Sequence, residues 1–151
     1  MKKLVVKDIM TKNVITIDKK ATVGELSKLL IKNKISGVPV VDDNNNLVGI
    51  ATDADIIIQE SDLPLPLSFS HAFLQKYESY VKSTKEYLKT KVENIMTKGL
   101  KTVYEDDTIT KAVNIIINND INRIPVVDKN NRLKGIITRA DIIKFMIKNT
   151  E

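Results

Sequence analysis

The sequence predicts an α/β (α+β) protein built from two copies of one β-α-β-β-α unit. Two observations carry this reading. At an offset of 86 residues the chain aligns with itself without a gap, and 24 of the 52 aligned positions are identical, so a duplication is on the page before any element is assigned. Within each copy, short β-branched runs alternate in the same order with stripes of helical period. VKDIMTK at 6–12 meets VENIMTK at 92–98, and VPVVDDNNNLVGIATDADII at 38–57 meets IPVVDKNNRLKGIITRADII at 124–143.

The elements follow one by one. Val14-Ile15-Thr16-Ile17 is a short β-prone run. Thr22-Val23-Gly24-Glu25 has the capping-box pattern that opens a helix, and Val23, Leu26, Leu29 and Leu30 recur at helical spacing behind it. Val38-Pro39-Val40-Val41 is a strand whose early proline belongs near a strand start or edge. Asp42-Asp43-Asn44-Asn45-Asn46 is a turn signal, and Leu47-Val48-Gly49-Ile50-Ala51 returns as the second arm of a hairpin. A last helix begins at Thr52 and carries Ala54, Ile56 and Ile57. The second copy repeats this with Thr108 as cap, Ile109, Ala112, Val113, Ile116 and Ile117 as its stripe, and Ile124 to Ile137 as the hairpin. A unit of about 50 residues buries too little surface to stand alone, so two copies packed sheet to sheet are expected.

Residues 58–91 interrupt the symmetry, dividing the chain into repeat 1 (1–57), an insertion (58–91) and repeat 2 (92–151). Leu63-Pro64-Leu65-Pro66-Leu67 cannot continue a helix. A helix is expected from about Ser70 to Lys89, with Phe73, Tyr77, Tyr80, Thr84 and Tyr87 on one wide face beside Leu74, Val81 and Leu88. That face either packs on its own module, makes a homodimer contact or overhangs a ligand cleft.

Composition narrows the function classes. The chain has no cysteine, which removes disulfides, thiolate metal sites and thiol nucleophiles. His71 is the single histidine, so histidine-based triads and multi-histidine metal sites are nearly excluded, and its place suits a helix start or the surface. The glycines at 24, 37, 49, 99 and 135 form neither phosphate-loop pattern. The Asp/Asn loops at 42–46 and 128–131 lack the spacing of a calcium loop and read as ordinary hairpin turns. No apolar run approaches the roughly 20 residues of a membrane span, and the start at Met1-Lys2-Lys3 does not resemble a signal peptide, so a cytoplasmic address is expected. The net charge of +5 is spread thinly, residues 6–57 summing to zero and 92–143 to +1. A nucleic-acid reader usually concentrates its basic residues, so this class is disfavoured. Binding is therefore expected rather than catalysis.

In sequence the chain resembles the CBS domains. The resemblance rests on hallmarks present twice and in fixed order: Ile9-Met10-Thr11 and Ile95-Met96-Thr97, Val38-Pro39-Val40-Val41-Asp42 and Ile124-Pro125-Val126-Val127-Asp128, and Gly49-Ile50-x-Thr52-x-x-Asp55 and Gly135-Ile136-x-Thr138-x-x-Asp141. It covers the chain apart from 58–91 and the termini. It implies two units paired about a pseudo-twofold axis, with ligand clefts between them.

Thr52-x-x-Asp55 and Thr138-x-x-Asp141 are helix starts whatever else they do. A helix N-terminus also favours an anion. The resemblance adds a role: it implies Asp55 and Asp141 as ribose ligands, with Thr52 and Thr138 near phosphate. It also implies that each site is completed by the opposite repeat. Ile35-Ser36-Gly37-Val38 would face Ile136, Thr138, Arg139 and Asp141, with Gly37 leaving room for a base and Arg139 as a further phosphate contact. Ile121-Asn122-Arg123-Ile124 would face Ile50, Thr52 and Asp55. There Arg123 replaces glycine, either as a bidentate phosphate clamp or as a residue that fills the cleft. The first cleft is accordingly the better candidate.

The functional expectation is a regulatory module that requires no cofactor, senses AMP, ADP or ATP, and signals to a separate, unidentified effector protein, with homodimer formation expected and no membrane partner. The alternatives are a structural or dimerisation module with vestigial sites, and an S-adenosylmethionine binder.

Overall fold

A computed structural model describes residues 3–58 and 71–150. Repeat 1 contributes α1 (Val6–Ile9), β1 (Ile17–Asp18), α2 (Val23–Asn33), β2 (Gly37–Val41), β3 (Leu47–Thr52) and α3 (Asp53–Ile58). The insertion carries α4 (His71–Tyr87), and a 3-10 turn at Val92–Asn94 takes the place of α1 in the second copy. Repeat 2 follows with β4 (Val103–Tyr104), α5 (Ile109–Asn119), β5 (Arg123–Val127), β6 (Leu133–Thr138) and α6 (Arg139–Lys148). The fold is thus mixed α/β, with two three-stranded sheets of orders β1-β2-β3 and β4-β5-β6.

The caps form where the sequence places them. Thr22 Oγ1 accepts from the Glu25 N–H and Thr108 Oγ1 from the Lys111 N–H, each at 3.1 Å. The first strand is shorter than Val14–Ile17 and begins later. It pairs in parallel with β2 only at Ile17–Val40 and Asp18–Val41. One register step further back stands Pro39, which has no N–H to donate. The same proline explains how a central strand tolerates it: β1 stops short of Pro39, so that side of β2 is open there. The antiparallel register Gly37–Thr52 through Val40–Gly49 is repeated 86 residues on as Arg123–Thr138 through Val126–Gly135.

The repeats are not built solely from their own residues. Val6 and Met10 are buried in one core cluster with Val103, Ala112, Ile116, Ile124, Val126 and Ile137 of repeat 2. Reciprocally, Val92 is buried with Leu26, Leu30, Val38, Val40 and Ala51 of repeat 1, with Ile95 and Met96 packed alongside. The two Met-Thr segments therefore cross over. Thr11 N donates to Ile136 O at 2.8 Å and Thr11 O accepts from Ile136 N at 2.9 Å, while Thr97 and Ile50 exchange the same pair at 2.8 and 3.0 Å. The β3 and β6 edges are thus each bridged, at Ile50 and Ile136, by a segment from the other copy.

The glycine of each third strand permits this crossing. A Cβ on Gly49 would lie 2.6 Å from Met96 Sδ and 2.9 Å from Thr97 O, and one on Gly135 would lie 2.7 Å from Met10 Sδ and 2.9 Å from Thr11 O.

The hairpin tips also do more than turn the chain. Asn45 and Asn131 sit in the left-handed region, with φ of 63° and 64°. The Asn45 side-chain amide donates to Leu133 O at 3.2 Å, and that of Asn131 to Leu47 O at 2.9 Å. Val41, Leu47, Val127 and Leu133 form a buried cluster beneath them. The tips expected to be ordinary turns thus join the two sheets.

The inserted helix appears close to its expected span. Its C-terminal end packs on repeat 1: Tyr87 Oη donates to Ile56 O at 2.8 Å. The first amides of α2 use the chain just beyond it, Val23 N donating to Thr90 O at 2.8 Å and Gly24 N to Leu88 O at 2.9 Å. The Leu63–Leu67 run and the side chains of Phe73, Leu74, Tyr77 and Tyr80 lie outside the described residues. Among the described residues no helix is long and apolar enough to cross a membrane.

Candidate ligand clefts

Two cavities open between the repeats, on equivalent segments. The first, about 460 Å³, is lined by Thr11, Asn13, Val14, Ile15, Lys34, Ile35, Ser36, Gly37, Pro39, Ile136, Thr138 and Arg123. The second, about 420 Å³, is lined by Ile50, Thr52, Thr97 to Lys101, Asn119 to Asn122 and again Arg123. Both are assembled by the crossing of the Met-Thr segments, which brings the residues after each threonine against the opposite sheet.

Most of the residues expected from the sequence fall in these clefts. Ile35, Ser36, Gly37, Ile136 and Thr138 meet in the first, and Ile50, Thr52, Ile121, Asn122 and Arg123 in the second. Others are placed differently. Val38 and Ile124 are 1% and 0% exposed, their side chains turned into the cores because alternate residues of a strand face opposite sides, so only their backbone is left for a cleft. Arg139 lines neither cavity. Its Nε donates to Ile121 O at 3.0 Å and its Nη2 pairs with Asp120 Oδ1 at 3.2 Å, directing it toward the loop behind the second cavity.

Asp55 and Asp141 line neither of these cavities, although Asp141 borders a third, of about 340 Å³, between α1 and α6 with Asp8, Ile9, Lys144 and Phe145; both oxygens of each carboxylate are engaged in the fold. Asp141 Oδ2 accepts from the Thr138 N–H at 2.9 Å and Oδ1 from the Thr11 hydroxyl at 3.1 Å, while the Asp141 N–H donates to Thr138 Oγ1 at 3.1 Å. Asp55 repeats the arrangement with the Thr52 N–H at 2.9 Å and the Thr97 hydroxyl at 3.2 Å. Each carboxylate caps its own helix and pins the crossed-over threonine of the other copy. A carboxylate oxygen accepts more than one hydrogen bond, so these contacts leave acceptor capacity.

Arg123 has the least expected position. Its Nη2 donates to Ser36 Oγ at 2.5 Å, across the repeat boundary. Its Nη1 lies 2.7 Å from where a Cβ of Gly37 would be. The space that glycine leaves is thus occupied by a guanidinium from the opposite repeat, and Arg123 borders both cavities instead of filling one. Burial holds its pKa below the ordinary arginine value, with Asp53 acting in the opposite direction. It remains a cation at neutral pH.

The residues missed from sequence alone are Thr11, Asn13, Val14, Ile15, Lys34 and Pro39 in one cleft, and Thr97 to Lys101, Asn119 and Asp120 in the other. A signal was present for those following each threonine, since the 86-residue alignment breaks down after Lys12 and Lys98, setting Ile15 against Lys101. Of these, Val14 and Leu100 keep an equivalent packing role against the Val41, Leu47, Val127 and Leu133 cluster, whereas Ile15 and Lys101 do not.

The CBS domain family model matches residues 6–61 and 92–148. Uncharacterized protein MJ1426 of Methanocaldococcus jannaschii is 36% identical over 155 residues, spanning 95% of this chain and 92% of that protein. A CBS domain-containing protein of Dictyostelium discoideum, DDB_G0289609, is 31% identical, covering 99% of this chain and 95% of its own. Among solved structures, the CBS domain pair of MJ0100 in complex with 5-methylthioadenosine and S-adenosyl-L-methionine has a TM-score of 0.70 at 28% identity, over 98% of this chain and 99% of that one. The CBS-pair protein CBSX2 from Arabidopsis thaliana has a TM-score of 0.75 at 26% identity, over 99% and 98%.

Proposed function

Because this chain belongs to the CBS domain family and carries two copies of the domain, we propose that it is a regulatory module that binds an adenosine compound between its repeats and passes the change to a separate effector protein. The observation that carries this reading is the first cavity, where Val14, Ile15, Ile35, Pro39 and Ile136 offer apolar wall while Thr11, Ser36, Thr138 and Arg123 offer hydroxyls and a cation. Such a cleft suits a flat base at one end and an anionic or hydroxyl-rich group at the other. The 5-methylthioadenosine and S-adenosyl-L-methionine bound in the MJ0100 domain pair support the adenosyl class. AMP, ADP and ATP belong to that class. Asp141 and Asp55 serve the ribose through their remaining lone pairs, and the role is one of binding, not catalysis.

A second copy of the chain is the proposed partner for the outer helix faces, where Ile31 and Ile57 of repeat 1 and Ile117 and Ile143 of repeat 2 are exposed at equivalent positions, beside Met146 and Ile147.

Calorimetry with AMP, ATP and S-adenosylmethionine tests the ligand reading. A sensor of cellular ligand should bind at least one of them between about micromolar and millimolar. Ile15, 38% exposed at the rim of the first cavity, can be replaced without disturbing the core. Ile15→Lys, which copies Lys101 of the second cavity, should weaken binding by about tenfold, the loss of one well-buried apolar contact. Silence with all three ligands would favour a structural module with vestigial sites.

A further inference from the structure

We infer that the two cavities share a single anion-binding group, the Arg123 guanidinium, so that a phosphate-bearing ligand held by it in one cavity weakens the binding of a second such ligand in the other. The inference rests on the proposed binding of nucleotides, and it adds a rule for how the two sites are filled.

Four observations lead to it. Arg123 borders both cavities, whereas Lys34 belongs to the first alone and Lys98 and Lys101 to the second alone. Its counterpart in the other repeat is Gly37, to which it stands opposite in place of a second cation. The molecule thus has two clefts and one guanidinium between them. Arg123 is half-buried, and among the described residues it forms no ion pair with a carboxylate, in contrast to Arg139, which is held by Asp120. Its one described partner is the neutral Ser36 hydroxyl, and an arginine has five N–H donors in a fixed fork. A partly desolvated cation with donors to spare gains most from a doubly charged oxyanion, which it meets in a bidentate fashion.

The geometry then sets the coupling. To keep its bond to Ser36 and grip a phosphate, the guanidinium must lie over Gly37 in the first cavity. It also borders the second from this position. A phosphate gripped in one cavity neutralises its charge and occupies its fork, so the first ligand bound removes the cation from the second site. Linkage makes this penalty reciprocal.

The test follows backbone amide resonances of the full chain, Ile15 and Gly37 reporting on the first cavity and Gly99 and Ile121 on the second, together with the side-chain Nε–H of Arg123. AMP, adenosine and inorganic phosphate are titrated separately. With AMP, one set of amides should saturate at roughly tenfold lower concentration than the other, and the Arg123 signal should move with the first set only. With adenosine, which lacks phosphate, the gap should narrow to what the unequal walls alone produce. Arg123→Gln retains part of the stem and an N–H donor but not the charge. In that variant the AMP gap should fall to the adenosine value. An Arg123 signal that moves with both sets, or an AMP gap that Arg123→Gln does not reduce, overturns the inference and leaves nucleotide binding standing. Silence with AMP and adenosine, but the same ordered filling by phosphate, removes the nucleotide reading and keeps the shared guanidinium. Silence with all three removes both.

Discussion

Gly49 and Gly135 show how much can hang on a missing methyl group. Each lies under the methionine of the opposite copy, whose sulfur would be 2.6 or 2.7 Å from an added Cβ, with a backbone carbonyl 2.9 Å away on the same side. The methionine tip can shift, but the carbonyl belongs to the bridge that closes the sheet edge. Gly49→Ala should therefore cost about 1–3 kcal/mol, the usual range for overpacking a core, and denaturant unfolding should show a lowered midpoint. A midpoint equal to that of the unaltered chain would mean that the crossing is looser than these distances indicate. Asp42 and Asp128 act in the opposite direction at the hairpin starts. Backbone N–H bonds, from Asn46 and Arg132 above all, hold both carboxyls below the ordinary aspartate value. A carboxylate whose folded pKa is depressed adds stability above its unfolded pKa, near 3.9, and loses it as pH falls through the lower folded value. The doubly substituted Asp42→Asn, Asp128→Asn chain should consequently lose less stability between about pH 5 and 3 than the original. Thermal unfolding across that interval measures the difference, and parallel curves would remove these two groups from the acid response.

At the scale of elements, the short segments carry the unusual duties. The helix α1 has four residues, yet its Val6 is completely buried among residues of repeat 2. Truncation there should unsettle the far repeat more than its own. Val6→Ala is expected to cost about 1–3 kcal/mol through lost burial and the cavity left behind. Hydrogen exchange should accelerate in β5 and β6 before it does in β2 and β3. The reverse order would contradict the crossing. This arrangement was not legible beforehand, for a physical reason. The helical stripes, the Thr22 and Thr108 caps and the hairpins could all be read from periodicity and local chemistry, and they formed within a few residues of their expected bounds. Periodicity says which face of an element is apolar. It does not say which copy of a duplicated unit that face will meet, when both present nearly the same surface.

For the whole molecule, the candidate site was legible in outline and less so in detail. Aligning the copies exposed Gly37 against Arg123, and the two do meet, Gly37 in the first cleft and Arg123 between both. What the alignment could not convey is reach: a guanidinium on a long stem from one repeat occupies space next to the other's glycine. Likewise Thr52-x-x-Asp55 and Thr138-x-x-Asp141 were recognisable as helix starts, whereas the threonines that complete them, Thr97 and Thr11, are 42 and 130 residues away. The proposed pairing of whole chains is tested at this scale too. Sedimentation should report a dimer that Ile57→Lys together with Ile143→Lys reduces to monomer, since both side chains are exposed on outer helix faces and play no part in either cavity. A monomer at tens of micromolar in the unaltered chain, taken as an ordinary working concentration for weak association, would leave those faces without a second copy.

The exchange of the Met-Thr segments bears finally on ancestry. The folded halves of this protein are not the halves of its sequence, because each sheet is finished by a strip that the duplication placed on the other side of the join. A chain with a single copy would have had its leading strip left over and its own sheet edge bare. Both defects disappear if two such chains trade strips. The tandem protein can thus be understood as an intertwined pair of chains made covalent.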